Sequence, residues 1–318
     1  MIKIRNLKIS GMKKIIIIFV IFIPRVVLGQ QFPFMEAYNV NPYSLSSAYA
    51  GIHNPKTLFM DYRSDWSGIE GGPKTYQLSY NGKFKNRVGL GGRFIYDKTD
   101  IFKQTLILLS YTYEVKVKED HTINFGLSAG LYRNSIDLSK YYNDPGYVQD
   151  MVLIYGYQKS NIKFATDISV LYRYKELESG MLFSNVMFGP ARYGNTDMTY
   201  KPFKNYLLHT SYLFTLDERW SIKPTFILRG GQQIPVQLEI SPTIMWNDRF
   251  WGSILFRTGG IMGLGLGGEV CKGILLNYSY NLNNNVNATI PVNAFGSHQL
   301  TLGVRIFGSS GDKNNKDK

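Results

Sequence analysis

The stretch TLFMDYRSDWSGIEGGPKTYQLSYNGKF, from Thr57 to Phe84, decides the fold. Successive side chains of an extended chain point to opposite faces, so apolar and polar residues that alternate predict a strand with two different faces. The apolar face comprises Leu58, Met60, Tyr62 and Trp66 before the Gly- and Pro-containing centre, and Tyr76, Leu78, Tyr80 and Phe84 after it. We therefore predict two amphipathic strands joined by a loop.

The same period of two continues along the chain as far as Phe307. It predicts about fourteen strands, most of them near ten residues long, which is the length that crosses a bilayer at a tilt. The composition agrees, because 23 Tyr, 19 Phe and 31 Gly with only 19% charged residues is aromatic-rich and charge-poor for a soluble enzyme. The prediction is an all-β protein.

The connections between these segments separate a membrane barrel from a soluble β-sandwich, which also alternates. Short turns are expected at 85–86, 118–120, 175–177, 247–248 and 271–272, and longer connections at 134–162, 188–204 and 282–296. Short turns at one rim and long loops at the other are typical of outer-membrane barrels. We predict a transmembrane outer-membrane β-barrel of antiparallel strands over residues 57–307, with a polar lumen and both termini in the periplasm.

The first residues predict the compartment. Lys13 and Lys14 precede the apolar run Ile15 to Ile23, which indicates a secretory signal peptide over residues 1–29 with cleavage after Gly29. The net charge of the whole chain is +13, and residues 1–29 hold six basic and no acidic residues. The mature chain therefore carries +7, and no nucleic-acid partner is implied. Residues 30–56 form a periplasmic or plug-like segment in this interpretation, and the polar residues 308–318 form a disordered periplasmic tail.

No pattern in the sequence predicts catalysis, a cofactor or a metal site. The run GLGLGG from Gly263 to Gly268 matches a dinucleotide fingerprint, but its glycines alternate with leucines inside a predicted strand and no helix follows. The four histidines have no metal-ligand spacing, no nucleophile elbow occurs, and Cys271 is the single cysteine. We expect a protein that is not an enzyme.

Two groups of residues are candidate sites. Asp61, Arg63 and Asp65 share the polar face of the first strand and, with Arg93, form a candidate polar network in the lumen, either structural or for a partner. The second group belongs to the loop between the first two strands, where glycine and proline specify a backbone shape. These candidate partner-binding residues are Trp66, Gly68, Ile69, Gly71, Gly72 and Pro73. The alternative for the loop is that it folds inward and constricts the barrel mouth.

The run YNVNPYSLSSAYAG, followed by YRSDWSGIEGGPKTYQLSY, resembles the start of the PorP/SprF family of type IX secretion system membrane proteins from gliding and secreting Bacteroidetes. The matching residues are Tyr38, Asn41, Pro42, Ala48, Tyr49, Ala50, Gly51, Tyr62, Arg63, Trp66, Gly68, Ile69, Gly72, Pro73, Lys74 and Thr75. The resemblance in pattern extends over nearly all of the mature chain.

The resemblance implies an accessory component of type IX secretion and gliding motility that helps specific cargo proteins reach, or stay attached to, the cell surface. Its implied partners are the C-terminal domains of secreted cargo, other secretion and gliding components, and outer-membrane lipid. Two other functions remain open. One is a diffusion porin or small-solute transporter, and the other is a structural anchor between the outer membrane and periplasmic motor proteins.

Overall fold

A computed structural model describes residues 34–52, 56–137, 157–187, 191–192, 199–200, 205–231, 234–283 and 296–306. The signal peptide expected at 1–29 and the tail expected at 308–318 lie outside these residues. So do residues 30–33 and 53–55 of the segment expected at 30–56, and most of the three long connections.

Fourteen long strands make up one antiparallel sheet in the described part of the chain. They are β1 (Thr57–Ser64), β2 (Lys74–Lys85), β3 (Val88–Thr99), β4 (Phe102–Lys118), β5 (His121–Asp137), β6 (Lys163–Tyr174), β7 (Leu177–Met187), β8 (Asn205–Tyr212), β9 (Trp220–Gly231), β10 (Ile234–Trp246), β11 (Phe250–Arg257), β12 (Ile261–Cys271), β13 (Ile274–Asn283) and β14 (Ser297–Arg305). Short paired segments are Tyr157–Lys159 on β5, Phe214–Thr215 on β9, and Ala191–Arg192 with Thr199–Tyr200. The GLGLGG run lies within β12.

The sheet closes on itself, because β1 pairs with β2 on one side and with β14 on the other. The closing register runs from Thr57 opposite Arg305 to Ser64 opposite His298. A closed barrel leaves no unpaired edge, which is the condition for strands to cross a bilayer. The predicted outer-membrane β-barrel with fourteen antiparallel strands is therefore confirmed.

The alternation in the sequence becomes an apolar outside and a polar inside. Large apolar side chains such as those of Met60 and Tyr62 are exposed on the outer face, whereas their strand neighbours Asp61 and Arg63 are buried. Aromatic pairs lie near both ends of the strands, as in the interfacial girdles of membrane barrels. Examples are Tyr62 with Tyr76, whose ring centroids are 5.1 Å apart, and Trp246 with Phe250 at 5.8 Å.

The two ends of the barrel differ, but less than the sequence predicted. The end that holds the first residue of β1 and the last of β14, the turn rim, has connections at 86–87, 119–120, 175–176, 213–219, 247–249 and 272–273. The opposite end, the loop rim, has connections at 65–73, 100–101, 138–162, 188–204, 232–233, 258–260 and 284–296. Three loop-rim connections, at 100–101, 232–233 and 258–260, are as short as the turns of the other rim. Positive φ values at Asp100, Gly259 and Gly260 allow two of these tight reversals.

Among the described residues, no helix has the length and apolar character needed to cross a membrane.

Candidate functional site

Residues 34–52, here called the inner segment, lie inside the barrel. They form three short 3-10 turns, Ala37–Asn39, Pro42–Ser44 and Ser47–Tyr49, and most of their side chains are buried. Pro42 opens the second turn, a position at which its missing N–H is not needed. The turns satisfy part of the backbone of the segment, so the remaining polar groups depend on the barrel wall.

The wall binds the inner segment from several sides through side chains that face the lumen. The Tyr38 hydroxyl donates to Glu239 Oε1 on β10 at 2.6 Å, and the Tyr43 hydroxyl lies 2.7 Å from Ser110 Oγ on β4. Further hydrogen bonds join Asn39 to Thr243 on β10 (2.6 Å), Asn41 to Ser79 on β2 (3.1 Å), and Ser47 to Ser169 on β6 (2.8 Å). Because these strands surround the lumen, the segment spans its width.

Wall glycines make room for the inner segment on β3. A Cβ added to Gly91 would lie 2.7 Å from the Tyr43 hydroxyl, and one added to Gly89 would overlap the carbonyl of Ala50. Glycine allows this close approach of another chain. Both glycines lie on the lumen face of β3, and the approach of the inner segment is the reason why they carry no side chain.

A cluster of buried charged side chains joins the inner segment to the wall. Glu36 accepts from Arg257 at 2.8 Å and lies 3.1 Å from Arg63 Nη1, an ion pair that lacks hydrogen-bond geometry. Arg257 also pairs with Glu239 at 2.6 Å, and the Asn281 amide donates to Glu36. The side chains of the four ionised residues are between 1% and 9% exposed, so water screens these ion pairs little. We call Glu36, Arg63, Arg257 and Glu239 the Glu36 cluster.

The predicted network on β1 is only partly assembled. Arg63 binds both carboxylate oxygens of Asp65, with Nε at 2.9 and 3.0 Å and Nη2 at 2.7 Å. Asp61 does not join this pair; it accepts from the Gln77 amide at 3.1 Å and from the Thr301 hydroxyl at 2.6 Å. The reason is the register of the flanking strands, since Gln77 on β2 and Thr301 on β14 lie directly opposite Asp61.

Arg93 lies in a different part of the lumen. Its Nη2 pairs with Asp167 on β6 at 3.0 Å, and its Nη1 donates to the carbonyl of Ser44 in the inner segment at 3.3 Å. The four residues predicted as one network therefore belong to three separate groups, and Arg63 and Asp65 are the pair that the structure brings together.

The loop over residues 65–73, here called the rim loop, is fixed by backbone hydrogen bonds at the loop rim. Its ends are joined by a bond from the Asp65 N–H to the Pro73 carbonyl, 2.9 Å long. Two more bonds, each of 2.9 Å, tie it to its neighbours: Ser67 N–H to the Gly296 carbonyl and Asp100 N–H to the Gly71 carbonyl. The loop is thus held in one shape by the structures on both sides of it.

Among the candidate residues of the rim loop, the glycines determine its backbone conformation and Trp66 contributes to its surface. Gly68 and Gly71 have φ values of 92° and 79°, and a Cβ at Gly72 would lie 2.8 Å from the Asp65 carbonyl oxygen. Trp66 was predicted to extend the apolar face of β1, but the strand ends at Ser64 and Trp66 has a φ of 51°. The residue is 38% exposed at the rim, so part of its aromatic surface is accessible.

The sequence interpretation missed Glu36, Arg257 and Glu239. One signal for Glu36 is its isolation, because it is the only charged residue between positions 30 and 52. A single carboxylate in an otherwise uncharged segment that enters a barrel needs a cation from the wall. The barrel closure selects Arg63 and Arg257, which lie far apart in the chain.

The model of the type IX secretion system membrane protein PorP/SprF matches residues 27–304, which include the inner segment, the rim loop and nearly all of β14. The chain belongs to the PorP/SprF family. The match confirms the resemblance seen in the sequence, and with the barrel fold it places the protein in the outer membrane.

Solved structures with a similar fold are distant in sequence. A FadL homologue from Pseudomonas aeruginosa is 9% identical, with 87% of this chain and 95% of that chain covered and a TM-score of 0.45. The outer membrane protein Omp33 of Acinetobacter baumannii is 8% identical, with 80% and 100% covered and a TM-score of 0.44. The toluene transporter TodX of Pseudomonas putida is 10% identical, with 86% and 93% covered and a TM-score of 0.43. No curated protein matches the sequence.

Proposed function

We propose that this PorP/SprF protein binds specific secreted cargo at the cell surface and helps to export or retain it. Family membership supports a role in type IX secretion, and the rim loop is the observation that carries the binding role. A loop whose shape is already fixed loses little conformational freedom when it binds, so its contacts contribute more to affinity. The exposed Trp66 is the kind of residue that dominates binding interfaces.

The partner in this proposal is the C-terminal domain of a secreted protein, including proteins used in gliding motility. The protein acts by binding and makes or breaks no covalent bond. The expected topology places the loop rim outside the cell, where exported cargo emerges. Other secretion components would meet the protein at the turn rim or through its lipid-facing surface.

The inner segment argues against a diffusion porin as the alternative function. A porin needs a continuous water-filled lumen, whereas here hydrogen bonds and ion pairs cross the lumen between the segment and the wall. A structural anchor to periplasmic motor proteins would use the turn rim instead of the rim loop, so the two functions predict different sensitive surfaces.

Replacing residues 68–73 with a Gly/Ser linker of equal length should leave the barrel folded and abolish surface retention of its cargo. The linker removes the fixed backbone and the Ile69 side chain but leaves β1 and β2 intact. Folding is measured by heat-modifiable mobility in gels, and retention by surface labelling of secreted proteins on intact cells.

A matched replacement of 247–249 at the turn rim, by Gly-Gly-Ser, serves as the control and should retain cargo normally. Normal cargo at the surface with the altered rim loop would contradict the binding role. Loss of cargo only with the turn-rim variant would favour the anchor function instead.

A further inference from the structure

A small cavity lies inside the barrel between the inner segment and the wall. Its volume is about 90 Å³, and its lining includes Phe34, Leu45, Arg93, Leu182, Asn205 and Arg229. Arg229 is two residues from the loop-rim end of β9, and Asn205 is the first residue of β8 at the same rim. The cavity therefore lies in the half of the lumen nearer the loop rim, against the inner segment.

Arg229 is a buried cation that lacks a carboxylate partner. The residue is 6% exposed, its Nε donates to Gln237 at 2.9 Å, and its guanidinium lies 4.4 Å from the centroid of the Phe34 ring. Its Nη1 has no hydrogen-bond partner, and no carboxylate in the described part of the chain lies within ion-pair distance of it. The nearby Glu36 and Glu239 are both bound by Arg257.

Two further residues of the cavity lining each carry a buried polar atom without a partner. The Nε of Arg93 is buried with no acceptor, and the Oδ1 of Asn205 is buried with no donor. Asp167 lines the cavity too, but it pairs with Arg93 at 3.0 Å. Buried donors without acceptors cost free energy, and a buried guanidinium without a counter-charge costs more, so the unpaired N–H groups of Arg229 and Arg93 beside one cavity favour an acceptor there.

The chemistry of the lining narrows the class of ligand. A planar guanidinium with a free N–H matches the geometry of a carboxylate, and an Arg–carboxylate hydrogen bond is stronger than a neutral one. Leu45 and Leu182 in the same lining would contact a short hydrocarbon chain. We propose that this cavity binds a small aliphatic monocarboxylate of about four or five carbons, with its carboxylate on Arg229. The site is separate from the rim loop and does not depend on cargo binding.

Calorimetric titration of the detergent-folded, full-length mature protein with 3-methylbutanoate tests the site. We expect saturable binding with one site per barrel, and binding at least tenfold weaker for the uncharged 3-methylbutanamide. Arg229→Gln should also weaken binding of the acid at least tenfold, because it removes the charge and the fork of donors. The exposed turn-rim substitution Arg219→Gln is the control and should bind like the unaltered protein.

A second variant keeps the test valid if Arg229→Gln fails to fold. Ser184→Leu places a larger side chain in the cavity lining while Arg229 stays in place, so it should also abolish binding. The proposal is overturned by any of three results: no saturable binding to the unaltered protein, equal binding of acid and amide, or tighter binding of inorganic phosphate than of the carboxylate.

Discussion

Deleting residues 34–52 should convert the barrel from a closed to a conducting state. The inner segment fills a lumen whose wall is polar, and its removal leaves a continuous channel lined by groups such as Ser79, Ser110 and Ser169 that water can hydrate. Planar-bilayer recordings should show almost no current for the intact protein and a stable, porin-like conductance for the deletion variant. The barrel should still fold, since the exposed cations and carboxylates would then be hydrated.

A substitution variant tests the same point with the segment still present. Gly89→Val together with Gly91→Leu places side chains where Ala50 and Tyr43 now lie, so the segment should be displaced and conductance should rise. The rim-loop replacement is the control and should remain closed. Equal current for the intact protein and the deletion variant would contradict the idea that the inner segment is what closes the lumen, and a large current for both would favour the porin function.

One side chain, that of Arg63, contacts both the rim loop and the inner segment. Arg63 binds Asp65, the first residue of the rim loop, and Glu36, in the inner segment. A partner that moved the rim loop would therefore act on an ion pair that holds the segment in the lumen. Arg63 thus links the proposed cargo site to the contacts that close the lumen. Substitutions in the Glu36 cluster therefore measure how strongly the inner segment is bound.

Much of the fold was predictable from the sequence because a barrel strand has a strict period of two. Alternation predicted β2 on residues such as Tyr76, Leu78 and Tyr80, and it placed Arg63 and Asp65 on the lumen face together. The rim loop was also predictable, because positive φ values favour glycine. Gly68 and Gly71 have such values, and the sequence is rich in glycine at this point.

The inner segment and the partners of its charged residue were not predictable, because they depend on contacts between residues that are far apart in the sequence. The inner segment has no period of two or 3.6, because it consists of 3-10 turns shaped by the wall. The cationic partners of Glu36 come from β1 and β11, and they meet only because the sheet closes between β1 and β14. Arg93 was assigned to the wrong partners because its carboxylate, Asp167, lies on β6, beyond β4 and β5 in the sheet.

Arg63→Leu should destabilise the folded barrel by about 3–5 kcal/mol, the cost typical of breaking a buried ion pair from one side. The substitution leaves Glu36 with a single guanidinium partner and Asp65 with none of its three bonds to Arg63. Because the Arg63 side chain is 9% exposed and that of Glu36 is 2% exposed, water cannot easily replace the lost partner. Urea unfolding of the protein in lipid vesicles, followed by tryptophan fluorescence, measures the loss.

The matched control is Arg173→Leu, which breaks the pair with Glu114 where both side chains are more than a fifth exposed. Solvent screens that pair, so the loss should be about 1 kcal/mol or less. Combining Arg63→Leu with Glu36→Leu should cost less than the sum of the two single changes, by about 1–3 kcal/mol, because each then removes a charge that the other left unpaired. A loss for Arg63→Leu no larger than that for Arg173→Leu would show that the lumen is hydrated around the cluster. Additive losses in the double variant would show that Arg63 does not hold the inner segment through Glu36.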